Sequence, residues 1–160
     1  MNSYRITLFL HIITVILGMG VTFAYPFLQA AAERQGPAAT RYVLRGILRV
    51  ETLVVYPGAV LVFLFGLALI FDDTTGYSDD FPGWLMIAIP WYLVAMAVEA
   101  IFQRRNLRDA LATLEGVDAS APLPEEYVPI GKRIQMVGGL VGISIIGIAF
   151  LMVWGGTGGF

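Results

Sequence analysis

The stretch TLVVYPGAVLVFLFGLALIF, from Thr52 to Phe71, contains no charged residue. At a rise of about 1.5 Å per residue such a helix is about 30 Å long, which matches the hydrocarbon core of a bilayer. In lipid, only helices and closed barrels satisfy every backbone hydrogen-bonding group. The run is continuous rather than alternating, so it predicts a membrane-spanning helix.

Three further stretches meet the same length requirement, namely Ile6–Leu28, Trp84–Phe102 and Ile134–Trp154. The chain has 160 residues, of which 58% are hydrophobic and 14% charged, with a mean hydropathy of +0.76. This composition excludes an ordinary soluble domain and a disordered chain. The predicted fold class is therefore an all-α polytopic membrane protein, a bundle of four transmembrane helices forming one domain over residues 1–160.

Missing residue types and motifs exclude several functions. Without cysteine, the chain cannot form disulfides, thiolate sites or iron–sulfur clusters. Its 10 basic and 12 acidic residues give no field for nucleic acid. No nucleophilic triad, phosphate-binding glycine loop or metalloprotease motif occurs, so no enzyme activity is assigned.

The charges are distributed unevenly between the connections. Nine of the ten basic residues lie in the first and third connections, whereas the second holds Asp72, Asp73, Asp79 and Asp80. Because cytoplasmic loops carry excess Lys and Arg, this pattern predicts both termini outside, an N-out/C-out topology. The acidic loop lacks the spacing of a calcium-binding loop and is interpreted as solvated.

The first span has an alternative interpretation as a cleaved signal peptide, because Arg5 precedes it and three alanines, 30–32, follow it. Its apolar run is longer than the usual 7–15 residues or so of such a peptide, which favours an uncleaved helix.

The second and third helices are predicted to extend beyond the membrane. Helix two is expected to begin near Ala38, after the Gly36-Pro37 break, and helix three to continue until Gly116. Pro57 and Pro90 are expected to kink their helices near mid-span.

His11 is the single histidine of the chain and lies on the polar stripe of the first span. One hypothesis is that it ligates haem b or transfers protons, since imidazole does both. The alternative, which we favour, is a neutral histidine that hydrogen-bonds between helices. No cofactor is assigned, and no metal site is predicted.

Glu51 and Glu99 lie at similar depth near the basic ends of the second and third spans. Arg49 and Arg104 lie at nearly the same depth, so we expect an interfacial network of ion pairs. The alternative is a proton or substrate pathway, for which no continuous polar track is visible.

Two further patterns suggest contacts rather than chemistry. Arg41, Arg45 and Arg49 recur every fourth residue, which predicts a basic stripe for anionic lipid headgroups. Gly138 and Gly142 form a small-xxx-small spacing, which predicts close helix packing within the bundle or between protomers.

Four features stand out along the chain: the run Leu8-Phe9-Leu10-His11, the glycines 18 and 20, the Pro-Gly of the second span and the segment Arg104-Arg105-Asn106-Leu107. Together they resemble the DUF2269 group of integral membrane proteins. The resemblance covers nearly the whole chain and implies four spans in a bacterial inner membrane, without an established activity. A remoter similarity to CopD-like and HemJ-like membrane proteins, carried by His11, implies copper handling or haem and porphyrin chemistry.

Three functional hypotheses follow. The leading one is an accessory or structural subunit, a multi-pass protein of the bacterial inner membrane whose partners are the lipid bilayer and a second copy or a membrane complex. The second is a haem-binding or redox membrane protein using His11. The third is a small transporter.

Overall fold

The computed structural model describes residues 3–156, which form four long helices: α1 (Ser3–Glu33), α2 (Pro37–Ile70), α3 (Gly83–Thr113) and α4 (Tyr127–Gly156). All four are long and apolar enough to cross a membrane, which confirms the predicted fold class. The first two and last four residues of the predicted domain lie outside the described residues.

Each helix is longer than the span predicted from its apolar run. With 30 to 34 residues, the helices are about 45 to 51 Å long, against a hydrocarbon core of about 30 Å. The predicted start of α2 is confirmed, because Gly36 has a φ of 105° that breaks the chain just before Pro37. Helix α3 ends at Thr113, three residues before Gly116, whose φ is 73°.

The helices interrupt regular α geometry at three places. In α1, residues Gly20–Ala24 form a 3₁₀ segment. Two π-helical segments follow, Glu51–Val55 in α2 and Glu99–Gln103 in α3. The first π segment ends two residues before Pro57, whereas Pro90 lies within regular α-helix.

Two apolar clusters hold the helices together. The cluster near the basic connections draws residues from all four helices: Tyr25, Leu44, Ile47, Leu107, Ala110, Leu114, Tyr127 and Ile134. The other cluster lies nearer the acidic loop, in the part of the bundle that we call the membrane half: Met19, Ala59, Val62, Ala88, Tyr92 and Ile148. The first cluster lies at the end of the bundle that carries the basic connections.

Helices α1 and α2 approach each other closely at Gly18 and Gly58. A Cβ atom built on Gly58 would lie 2.8 Å from the Cα of Gly18, and one built on Gly18 would lie 3.1 Å from the Cα of Gly58. Only glycine permits this approach, which resembles the small-residue contacts that hold helices together in lipid.

The predicted contact at Gly138 and Gly142 is made with side chains. A Cβ on Gly138 would lie 3.5 Å from Nε2 of Gln103, and one on Gly142 would lie 3.5 Å from a ring carbon of Phe23. Farther along α4, Gly147 accommodates the ring of Trp91. The glycines of α4 therefore make room for side chains of α1 and α3 within this chain.

We expect Gly58→Ala to destabilise the protein by about 1–3 kcal/mol, the usual range for overpacking, because the added methyl group meets the backbone of Gly18. Gly46→Ala in the same helix is the control, since nothing lies within 4 Å of its added Cβ. That substitution should be neutral or stabilising by roughly 0.5–1 kcal/mol. Unfolding in mixed detergent micelles measures both, and equal midpoints would contradict the close contact.

Candidate functional site

The side chains of Glu51 and Glu99 face each other between α2 and α3. Their carboxyl groups interact directly, and the two residues are 0% and 4% exposed. Two buried carboxyl groups in contact are unusual, because inside a low-dielectric interior two negative charges repel strongly. This pair is the centre of the candidate site.

Each glutamate is the first residue of a π-helical segment. The buried positions of α2 run Ile47, Glu51, Val55 and Ala59, with three successive spacings of four. In a regular α-helix, twelve residues at about 100° each overshoot full turns by about 120°, so these residues would leave the buried face. The wider π turn absorbs the excess and keeps Glu51 directed inward.

Helix α3 repeats this arrangement. Its buried residues Ala95, Glu99, Gln103 and Leu107 are again four residues apart across the π segment. Such a run of four-residue spacings is a sequence signal for π geometry that the search for a 3.6-residue period missed.

The nearest groups to the pair are polar but do not neutralise it by an ion pair. The hydroxyl of Tyr56 donates to Oε2 of Glu51 at 3.4 Å, whereas Oε1 has no hydrogen-bond donor. The guanidinium of Arg104 acts on Glu51 at longer range.

The expected ion pairs between these glutamates and the arginines do not form within residues 3–156, where the one ion pair joins Arg105 to Asp109 at 3.8 Å on the surface. Arg49 is exposed. Arg104 is partly buried, with its Nε atom lacking a hydrogen-bond partner in the described chain, and it acts on Glu51 without forming an ion pair.

A small cavity adjoins the pair on the side of α1 and α4. Its volume is about 20 Å³, room for about one water molecule. Glu99 lines it together with Tyr25 and Gln103, and the Tyr25 hydroxyl and Gln103 Oε1 are buried without a hydrogen-bond partner in the described chain. Gln135, also in the lining, is exposed at the surface. The cavity therefore brings three buried polar groups close to the outside.

A second polar cluster, not foreseen from the sequence, lies between the ends of α1 and α4. Gln29, only 1% exposed, donates to Glu33 at 2.8 Å and to the carbonyl oxygen of Gly131 at 3.2 Å. The hydroxyl of Tyr127 donates to the same Glu33 at 2.7 Å. Gln29 and Glu33, four residues apart near the end of an apolar run, were the available signal.

His11 lies apart from this site, in the membrane half. Its Nδ1 donates to the carbonyl oxygen of Val62 at 3.0 Å and thereby links α1 to α2. Nearby, the Tyr92 hydroxyl donates to the carbonyl oxygen of Ala59 at 2.7 Å. The His11 contact supports the interhelical packing role, while the haem hypothesis stays a prediction.

The three arginines of the basic stripe on α2 differ in their contacts. Arg41 donates to the carbonyl oxygen of Leu114 at 3.1 Å, beyond the end of α3, whereas Arg45 and Arg49 are exposed. Lipid binding by these residues stays a prediction.

The acidic loop forms local turns. Oδ1 of Asp72 accepts a hydrogen bond from the amide of Thr74 at 3.0 Å. Hydrogen bonds from the side chain and amide of Thr74 hold the pKa of Asp72 below its usual value. No group of three or more His, Cys, Asp or Glu side chains suited to a metal ion occurs in the described part of the chain.

The structure thus defines a multi-pass helical membrane protein with a buried carboxyl pair near its basic end. The chain belongs to the family described as predicted integral membrane protein (DUF2269), whose model matches residues 5–155. This confirms the resemblance that the sequence suggested, whereas the remoter likeness to CopD-like and HemJ-like proteins stays a prediction. No curated protein and no solved structure matches the chain.

We expect His11→Leu to lower stability by about 0.6 kcal/mol, and by about 1.7 kcal/mol at most, because an interhelical hydrogen bond in a membrane is worth that much. Thr14→Ala is the control, since Thr14 bonds within its own helix, to Leu10. Unfolding in detergent compares the two. A Soret absorption band in the wild-type protein that is lost in His11→Leu would contradict a purely packing role.

Proposed function

We propose that this protein binds and releases a proton at the Glu51–Glu99 pair, in exchange with the basic side of the membrane. The observation that carries the proposal is the contact of two buried carboxyl groups without an ion-pair partner in the described chain. An ionisable residue within a membrane-spanning helix is costly and is most often functional.

The charge balance favours one shared proton. Two ionised carboxylates in contact would carry two negative charges where solvent screening is weak. A single proton held between them gives the pair one negative charge and supplies a donor in the contact. The positive charge of Arg104, at longer range, then offsets that remaining charge.

The surroundings favour exchange with one side only. Toward the basic end, the cavity beside Glu99 reaches exposed Gln135. Toward the acidic loop, residues 52–71 and 83–98 contain no Asp, Glu, Lys, Arg or His. A proton that reaches the pair from the basic side thus meets no further acid or base on α2 or α3, which argues for a binding site rather than a channel.

The membrane, the orientation and the partner that we propose for this protein follow the hypotheses drawn from its sequence. We place the protein in a bacterial inner membrane with the basic ends of its helices in the cytoplasm, because Lys and Arg accumulate there. A site that holds one proton without a path across the membrane suits an accessory subunit, which would act with a second copy or a membrane complex. No role with nucleic acid is proposed.

The first test is infrared spectroscopy of the protein reconstituted in lipid. The wild-type protein should show the carbonyl stretch of one protonated carboxyl group at neutral pH, and it should lose this band in alkaline buffer. The double variant Glu51→Gln/Glu99→Gln should lack the band, because it removes both carboxyl groups that can hold the proton.

Glu33→Gln is the matched control, since Glu33 is a partly buried glutamate that accepts hydrogen bonds from neutral groups. It should keep the band. A wild-type protein without the band, or a double variant that retains it in full, would refute proton binding at the pair.

Reporter fusions test the orientation. A reporter active only outside the cytoplasm should be active when fused after the C-terminus and inactive when inserted in the linker between Val117 and Pro124, which follows α3. The reverse activities would overturn the proposed topology.

A further inference from the structure

A groove runs between α3 and α4 on the outer surface of the bundle, on the basic side of the membrane half. It has a volume of about 350 Å³ and is separate from the cavity beside Glu99. It is lined by Phe102, Arg105, Asn106, Asp109, Arg133, Met136 and Val137.

The two ends of the groove differ in chemistry. Helix α3 leaves the membrane as its numbering rises, so Phe102 lies deeper than Arg105. Helix α4 enters the membrane as its numbering rises, so Met136 lies deeper than Arg133. Both helices therefore place apolar side chains at the membrane end of the groove and a guanidinium at the outer end.

The guanidinium groups are available to an anion. Arg133 forms no ion pair within residues 3–156, and Arg105 pairs with Asp109 at 3.8 Å, with side-chain exposures of 80% and 55%. An ion pair this exposed contributes little, so it does not prevent Arg105 from binding another anion. Counting Asp109, the groove carries a net charge of +1.

We propose that this groove binds one anionic phospholipid, with its phosphate between Arg105 and Arg133 and an acyl chain against Phe102 and Met136. Guanidinium groups bind phosphate oxygens through paired hydrogen bonds, which favours arginine at such a position. The exposed apolar end favours a lipid over free phosphate, because an inorganic ion leaves those side chains uncovered.

This site differs from the stripe of Arg41, Arg45 and Arg49. There, Arg41 is engaged with the carbonyl oxygen of Leu114, and the stripe lies on one helix. The groove instead combines arginines from two helices with an apolar floor, so a bound lipid would link α3 to α4. The proposal does not depend on proton binding by Glu51 and Glu99.

Native mass spectrometry of the full chain in mild detergent tests the site. The probes are phosphatidylglycerol, phosphatidylcholine with the same acyl chains, and inorganic phosphate. We expect the wild-type protein to retain phosphatidylglycerol at least tenfold better than phosphatidylcholine. Each basic residue near an anionic lipid contributes roughly fivefold, so the double variant Arg105→Gln/Arg133→Gln should lose about 25-fold in affinity.

The double variant Arg34→Gln/Arg108→Gln is the matched control, since it removes the same charge from exposed arginines that lie outside both the groove and the stripe. It should bind phosphatidylglycerol as the wild type does, and all forms should show the same helix content by circular dichroism. Equal losses in both double variants would mean general charge attraction and would overturn the site. Complete displacement of the lipid by inorganic phosphate would also overturn it, since the acyl chain would then contribute nothing.

Discussion

The constraint on which this structure depends is the need to keep two carboxyl groups out of lipid. Glu51 and Glu99 are carried by apolar helices, and exposure of either charge to hydrocarbon would be costly. A π-helical segment begins at each of them and keeps its helix's buried face continuous. The two glutamates thereby meet inside the bundle, where neither forms an ion pair with an arginine in the described chain.

The pair lies where two kinds of packing meet. In the membrane half, α1 and α2 depend on the contact of Gly18 with Gly58, because apolar surface gains little from leaving lipid for protein. At the basic end, a cluster of fully buried side chains such as Leu44 and Leu107 joins the four helices. A polar site at this junction lies close to exposed Gln135, while α2 and α3 stay free of charged residues toward the acidic loop.

How much of the site could be foreseen depends on the residue. His11, Glu51 and Glu99 were recognised because ionisable groups are scarce in apolar runs. Their partners were not, since similar depth makes Glu51 as plausible a neighbour for Arg49 as for Glu99. Tyr25, Gln29 and Gln103 could not be assigned to a site from the sequence, because uncharged polar residues are common near the ends of spans. Only their burial, and whether each has a hydrogen-bond partner, distinguishes them.

The sequence by itself determined that the protein lies in a membrane, how many helices span it, and that the chain breaks at Gly36 and Gly116. These follow from hydropathy, from the thickness of the bilayer and from backbone freedom, all of which act along the chain. Only the tertiary structure decided which residues meet. Glu51 meets Glu99, Gly18 meets Gly58, and Arg105 and Arg133 line the same groove. Contacts between helices depend on how each helix is rotated about its axis, and here a single π turn changes that rotation, so periodicity alone could not supply them.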